Sequence, residues 1–181
     1  MRIISGKYKG RLIKVPKGIR PTQGLVRKAL FDILGDIKGL SFLELFAGSG
    51  AVGFEAISLG LAELTLVEDK LDCLLAIKKN IESLKLKACS LYPQEAEKAI
   101  RGFYKNKKEF DIIFLDPPYY EDLAKKTLKT LSAYDILAPN GFIVVQHFKK
   151  DILPENIGKL TIFKQAKYGD TVLSFYKKAL L

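Results

Sequence analysis

Residues 41–53 read SFLELFAGSGAVG, and this stretch decides the fold. Its first part, 41–46, is a short continuous apolar run rather than an alternating one. Strands buried on both faces of a parallel sheet read this way. The turn that follows carries Gly48, Gly50 and Gly53 in a GxGxxG pattern and opens an apolar helix over 51–59. Glycines there let the backbone approach a ligand closely, and free N–H groups face it at the helix start. Taken alone, the pattern is also that of a tight strand-to-helix turn with no ligand.

The same reading extends along the chain. LTLV at 64–67, DIIFL at 111–115 and FIVV at 142–145 are again continuous apolar runs. Strands are expected at 41–46, 63–67, 88–92, 111–115, 142–147, 160–165 and 171–176. Helical periodicity covers 70–84, 94–103 and 122–134. Pro139, Asn140 and Gly141 read as a turn. This alternation predicts a doubly wound α/β domain with a mostly parallel seven-stranded sheet. The last two strands are joined by the tight YGD turn at 168–170, so the final one is expected to be antiparallel. At the amino end, 2–5 and 11–15 flank GKYKG and predict a small β-hairpin. Pro16, Gly18 and Pro21 then break the chain. Thr22 is the expected cap of a helix that stops at Gly35. The expected division is an arm over 1–20 and a body over 21–181.

Composition narrows the class. A chain of 181 residues, 48% of them hydrophobic, suits one globular domain and not a disordered segment. No apolar run approaches the roughly 18 residues of a membrane span. The basic start, MRIISGKYKG, lacks the apolar core of a signal peptide, so a cytoplasmic protein is expected. Cys73 and Cys89 are too few for a disulfide framework or a zinc site, and both are expected to be buried reduced thiols. One histidine, His147, leaves little room for a metal centre, and no GxSxG elbow accompanies it.

The charge is uneven. The formal net charge is +10, yet residues 1–31 hold nine Lys and Arg and no Asp or Glu. The other 150 residues carry 21 basic and 20 acidic side chains. A cationic stretch of this kind is the footprint of a phosphate backbone partner. Arg2, Lys7, Lys9, Arg11, Lys14, Arg20 and Arg27 are its candidate nucleic-acid contacts. Tyr8 lies among them, where its ring can stack on a base.

Two further motifs add chemistry. Glu68 closes the second strand, twenty residues after Gly48. An acid there can accept the hydroxyls of a ribose, so the two motifs together read as a nucleoside-containing cofactor site. The third motif is Asp116-Pro117-Pro118-Tyr119, directly after DIIFL. Two prolines cannot extend a sheet, so they form a rigid turn at the carboxyl end of a strand, where ligands bind in such sheets. Asp116 and the Pro117 carbonyl suit the hydrogens of an exocyclic amine, and the Tyr119 ring suits the face of its base.

ELFAGSG, an acid after the second strand, and DPPY resemble the amino-methyltransferases that use S-adenosylmethionine. MRIISGKYKGRLIKVP and the RPT…VRKALF segment make the chain similar to the RsmD family, the 16S rRNA (guanine-966 N2) methyltransferases. The likeness spans nearly the whole chain. It implies a Rossmann-like class I methyltransferase fold with S-adenosylmethionine as cofactor and no metal. It implies 16S rRNA, in the small ribosomal subunit or its assembly intermediate, as partner. A monomer is expected, since nothing in the sequence suggests a large apolar surface patch. Glu44, Phe46, Ala47, Gly48, Ser49 and Gly50 would then surround the cofactor. Glu68 and Asp69 would meet its ribose and Glu95 its adenine, while Asp116, Pro117, Pro118 and Tyr119 would hold the target base. Departures from the family pattern are Gln23, Gly24 and Leu25, Lys28 where an acid is common, and Gln146 where Glu is usual. From the residues themselves, a DNA adenine-N6 or cytosine-N4 methyltransferase, a nicotinamide oxidoreductase and a non-catalytic RNA-binding assembly factor remain alternatives.

Overall fold

Elements follow the expected alternation. The computed structural model describes residues 1–19, 22–118 and 122–179. The chain divides into two compact units, Met1–Glu95 and Ala96–Leu181.

The first unit holds α1 (Gly24–Leu34), β1 (Ser41–Leu45), α2 (Ala51–Ser58), β2 (Glu63–Glu68), α3 (Leu71–Leu84) and β3 (Cys89–Pro93). β2 lies between β1 and β3 and is parallel to both, with Leu43 opposite Thr65 and Leu66 opposite Leu91. Phe42, Leu43, Leu45, Leu64 and Leu66 have no exposed surface, as the continuous apolar runs require. All eight residues of α2 are buried. Gly53 is the reason this helix lies so close to the sheet. A Cβ there would sit 2.7 Å from Glu44 Oε2 and 2.8 Å from the side chains of Leu64 and Leu66.

The amino-terminal segments pair antiparallel as a short hairpin would: the Ile3 amide donates to the Arg11 carbonyl at 3.1 Å, Gly10 to Ile3 at 2.9 Å and Ile13 to Met1 at 2.8 Å, around a bridge between Arg2 and Leu12 too short to form a ladder. Helix side chains hold its backbone as well. The Ile4 and Ser5 amides and the Ser5 hydroxyl donate to the Glu55 carboxylate at 2.7–3.1 Å. The Tyr8 amide donates to Ser58 Oγ at 2.8 Å, and the Lys14 amide to Asn80 Oδ1 at 2.8 Å. Buried side chains thus fasten the paired segments to α2 and α3. Thr22 is not the cap of α1: Gln23 occupies that position with no side-chain bond, while Gly35 ends the helix as expected at φ 70°.

The second unit holds α4 (Ala96–Lys105), β4 (Phe110–Leu115), α5 (Leu123–Ala133), β5 (Leu137–Phe148), β6 (Asn156–Ile157), β7 (Leu160–Tyr168) and β8 (Thr171–Lys178). β4 and β5 are parallel, and β5, β8, β7 and β6 follow one another antiparallel. The described strands therefore number eight, one more than expected, because the two-residue β6 is too short to show a pattern. Pro139, Asn140 and Gly141 lie within β5 rather than in a separate turn. The register accommodates them: Phe110 faces Leu137 but Ile112 faces Phe142. Ile112, Ile113, Phe114, Val144 and Val145 form a dry centre with no exposed surface. No helix among the described residues is long and apolar enough to cross a membrane.

Candidate active site

In the first unit, the turn between β1 and α2 carries most of the expected ligand groups. Phe46, Gly48 and Gly50 all adopt positive φ, at 60°, 57° and 74°. At Gly50 a side chain would meet the Phe54 ring at 2.7 Å, so the tight turn and the buried helix start demand glycine there. Glu44 is buried, and its Oε2 accepts the Gly53 amide at 2.8 Å. Ala47 is buried and its amide donates to the Val67 carbonyl at 3.0 Å. Ser49 is 2% exposed, and its hydroxyl has no hydrogen-bond partner among the described residues. An orphaned buried hydroxyl at a helix start is unfavourable unless a ligand meets it.

Glu68 ties the next strand end to this turn. Its Oε2 accepts the Gly48 amide at 2.7 Å, and its Oε1 accepts the Asp69 and Lys70 amides at 2.9 and 3.0 Å. A carboxylate offers about four lone pairs. Three are engaged by these bonds, so capacity for one hydroxyl remains on Oε2. Asp69 and Glu95 are exposed, the latter two residues past the end of β3. Of the two thiols, Cys73 is buried, whereas Cys89 is only partly so, contrary to the expectation for both. Burial, with Glu44 adding to it, pushes the Cys89 thiol up to about 12 and keeps it protonated.

The cationic segment is mostly available. Arg2, Lys7, Lys9, Arg11 and Lys14 are exposed, and Tyr8 is half-buried with Lys7 Nζ 5.5 Å from its ring centre. Arg2 and Arg11 also brace the loop, donating to the carbonyls of Gly10 and Ser83 at 2.7 and 2.8 Å. Arg20 lies outside the described residues. Arg27 corrects the expectation. It is 2% exposed, and its guanidinium donates to the carbonyls of Arg2 and Thr22 at 3.1 and 3.3 Å, so it has no surface to offer RNA. Burial lowers its pKa, against the opposing pull of Glu55 and Glu44.

In the second unit, Asp116 follows β4 directly and is half-buried; Pro117 is buried and Pro118 exposed. Tyr119 lies outside the described residues. Gln146 on β5 donates from Nε2 to Asp116 Oδ1 at 2.9 Å. A cleft of about 400 Å³ opens beside them, lined among others by Pro117, Leu123, Lys125, Gln146, Lys150 and Leu153. His147 also borders it but is spoken for: Nε2 lies 2.8 Å from Ser174 Oγ and Nδ1 3.0 Å from the Phe148 carbonyl. In the sequence, Gln146 stands out only as a departure from a family pattern, and Lys125 and Lys150 do not stand out at all. Nothing local distinguishes those two lysines from other surface cations. Among the described residues, no group of three or more His, Cys, Asp or Glu side chains could hold a metal ion.

A glycine turn in left-handed conformation, an acid at the next strand end, and Asp-Pro-Pro after a further parallel strand define the class I methyltransferase fold. A solved hypothetical protein from Thermus thermophilus has it, at 34% identity and a TM-score of 0.85 over 97% of this chain and 98% of that one. The chain belongs to the family described as Conserved hypothetical protein 95, whose model matches residues 1–177. It is 38% identical to the Bacillus subtilis protein YlbH over 182 residues, 98% of this chain and 99% of the relative. It is 34% identical over 186 residues to a Haemophilus influenzae protein named Ribosomal RNA small subunit methyltransferase D, covering 98% and 93% of the two chains. The likeness to the RsmD family read from the motifs is thereby borne out.

Proposed function

We propose that the protein transfers a methyl group from S-adenosylmethionine to the exocyclic N2 amine of a guanine in 16S rRNA. The observation that carries this reading is Asp116, oriented by Gln146 at the end of β4 beside a cleft that Pro117 and Gln146 line. The name of the Haemophilus relative supports rRNA of the small subunit as the substrate.

The cofactor supplies an electrophilic methyl group when bound. The residues of the turn fit such a group: Ser49 offers a buried hydroxyl with no internal partner among the described residues, and the backbone at Gly48 and Gly50 excludes any side chain from the cradle. Glu44, Phe46 and Ala47 shape the turn around it. Glu68 accepts a ribose hydroxyl beside Asp69, and Glu95 meets the adenine.

The guanine N2 lone pair is delocalised into its ring and is a weak nucleophile. Asp116 and the Pro117 carbonyl accept its two hydrogens, which favours a pyramidal nitrogen with a directed lone pair. Pro118 keeps the turn rigid and Tyr119 stacks on the base. Alignment of this kind contributes on the order of several kcal/mol. The proton can leave after transfer, so no histidine base is needed. The base must leave its stack, at a cost of a few kcal/mol. Arg2, Lys7, Lys9, Arg11 and Lys14 contribute phosphate contacts that offset it. On this reading the protein acts as a monomer in the cytoplasm.

The test is methyl transfer from labelled S-adenosylmethionine to small subunits lacking the modification, to free 16S rRNA and to duplex DNA, with nucleoside analysis. N2-methylguanosine in rRNA is the expected product. Methyladenine or methylcytosine in DNA would overturn the substrate, and cofactor binding without any transfer would overturn the catalytic reading.

A further inference from the structure

Gln146 is 5% exposed and sits on β5 opposite Leu173 of β8. A buried amide needs partners for both of its ends. One end has its partner: Nε2 donates to Asp116 Oδ1 at 2.9 Å. Only the NH₂ end can face a carboxylate, so this bond also fixes where the carbonyl end lies. Oε1 is buried and, among the described residues, has no hydrogen-bond partner. Leaving an acceptor in that state is unfavourable. Gln146 lines the same cleft as Pro117, so a group that enters the cleft is the natural donor.

The chemistry of that donor follows from what stands beside it. Asp116 is an acceptor, and Gln146 Oε1 is a second acceptor locked next to it. Two adjacent acceptors match two adjacent donors. On the Watson–Crick edge of guanine, the 2-amino group stands next to N1–H, donor beside donor. Adenine and cytosine carry a bare ring nitrogen next to their amine, so an acceptor would face an acceptor.

We infer that Gln146 is a specificity-determining residue whose Oε1 accepts N1–H of the target guanine while Asp116 holds its 2-amino group. The inference rests on the proposed function of the same site. The hydrogen bond between Gln146 and Asp116 then has two consequences: it orients the carboxylate, and it keeps the amide from turning its NH₂ group toward the base. A buried group left unpaired by the wrong substrate is a strong discriminator, commonly worth more than a steric mismatch.

The test compares two small subunits reconstituted with guanine or with 2-aminopurine at the modified position. 2-Aminopurine keeps the 2-amino group and lacks N1–H. Wild-type protein should prefer guanine by about 100-fold or more in kcat/KM. In Gln146→Leu both rates should fall, because Asp116 loses its orienting bond, but the guanine rate should fall at least about tenfold further, so that the preference for guanine collapses. Should Gln146→Leu not fold, Gln146→Met, closer in shape, carries the same measurement. Equal losses on both substrates would overturn the inference and leave Gln146 only as a support for Asp116. An undiminished preference for guanine in the variant would overturn it as well. Wild-type protein inactive on guanine would instead defeat the proposed function on which the inference stands.

Discussion

Arg27 and Glu55 form an ion pair in which both side chains are 2% exposed, with Nε 3.7 Å from Oε2. The pair is an anchor rather than a surface feature. Glu55 receives the Ile4 and Ser5 amides, and Arg27 reaches the Arg2 carbonyl from α1. The cationic loop proposed to meet RNA is thus fixed at its root by one buried charge of each sign.

Removing one partner would leave the other charge buried and alone. Arg27→Met and Glu55→Gln should each lower stability by about 3–5 kcal/mol. Urea unfolding measures this, and the double variant should lose less than the two single losses combined. Strict additivity would show that the pair is not coupled.

Gly53→Ala places a methyl group against Glu44 Oε2, Leu64 and Leu66. Overpacking of this kind costs about 1–3 kcal/mol. It should also displace the turn at Gly48–Gly50 and weaken S-adenosylmethionine binding. Thermal melting and calorimetric titration on one sample test both effects; an unchanged melting temperature would contradict the packing argument.

Asp116→Ala should reduce transfer by about a thousandfold or more, since it removes the group proposed to hold the reacting amine. Cofactor affinity should stay within about twofold, because the residues proposed to hold the cofactor all precede residue 96. Single-turnover kinetics and equilibrium binding separate the two. Near-normal transfer would remove Asp116 from the mechanism.

Lys7 and Lys9 are exposed on the loop, whereas Arg2 and Arg11 also brace it through backbone carbonyls. Lys7→Ala and Lys9→Ala should each reduce the slope of log affinity against log salt for rRNA by roughly 1 for every phosphate no longer neutralised. Folding stability should hardly move. An unchanged slope in both would take the loop out of the RNA interface.

His147 has its pKa lowered from the ordinary 6.5, chiefly by burial. The unfolded chain therefore takes up a proton at a pH where the folded chain does not. Stability is full above about 6.5 and declines as the pH falls from there toward the lower folded value. Denaturant midpoints between pH 7.5 and 5 should show the decline, and His147→Asn should flatten it. A wild-type midpoint that is level over this range would refute the assignment.

Much of the fold was legible because its signals are local. Continuous apolar runs mark strands buried on both faces, and the helices between them show their own period. Gly48, Gly50 and Gly53 declare a turn in which backbone and helix come close, and Asp116-Pro117-Pro118 declares a strand end. Each of these signals lies within a few residues of what it controls.

What only the tertiary structure decided involves partners far apart in the chain. Arg27 reads as one more cation of a basic stretch, and its burial depends on Glu55, 28 residues later on another helix. Gln146 reads as a polar residue in an apolar strand, and its meaning comes from Asp116, thirty residues earlier. The amino-terminal segment reads as a hairpin and pairs as one between Ile3 and Arg11, but that Glu55, Ser58 and Asn80 fasten it to two helices is not written locally. A side chain's charge and shape are written in the sequence. Whether that charge meets water or a buried partner is settled by packing, because the cost of burial vanishes only where the fold supplies the opposite group.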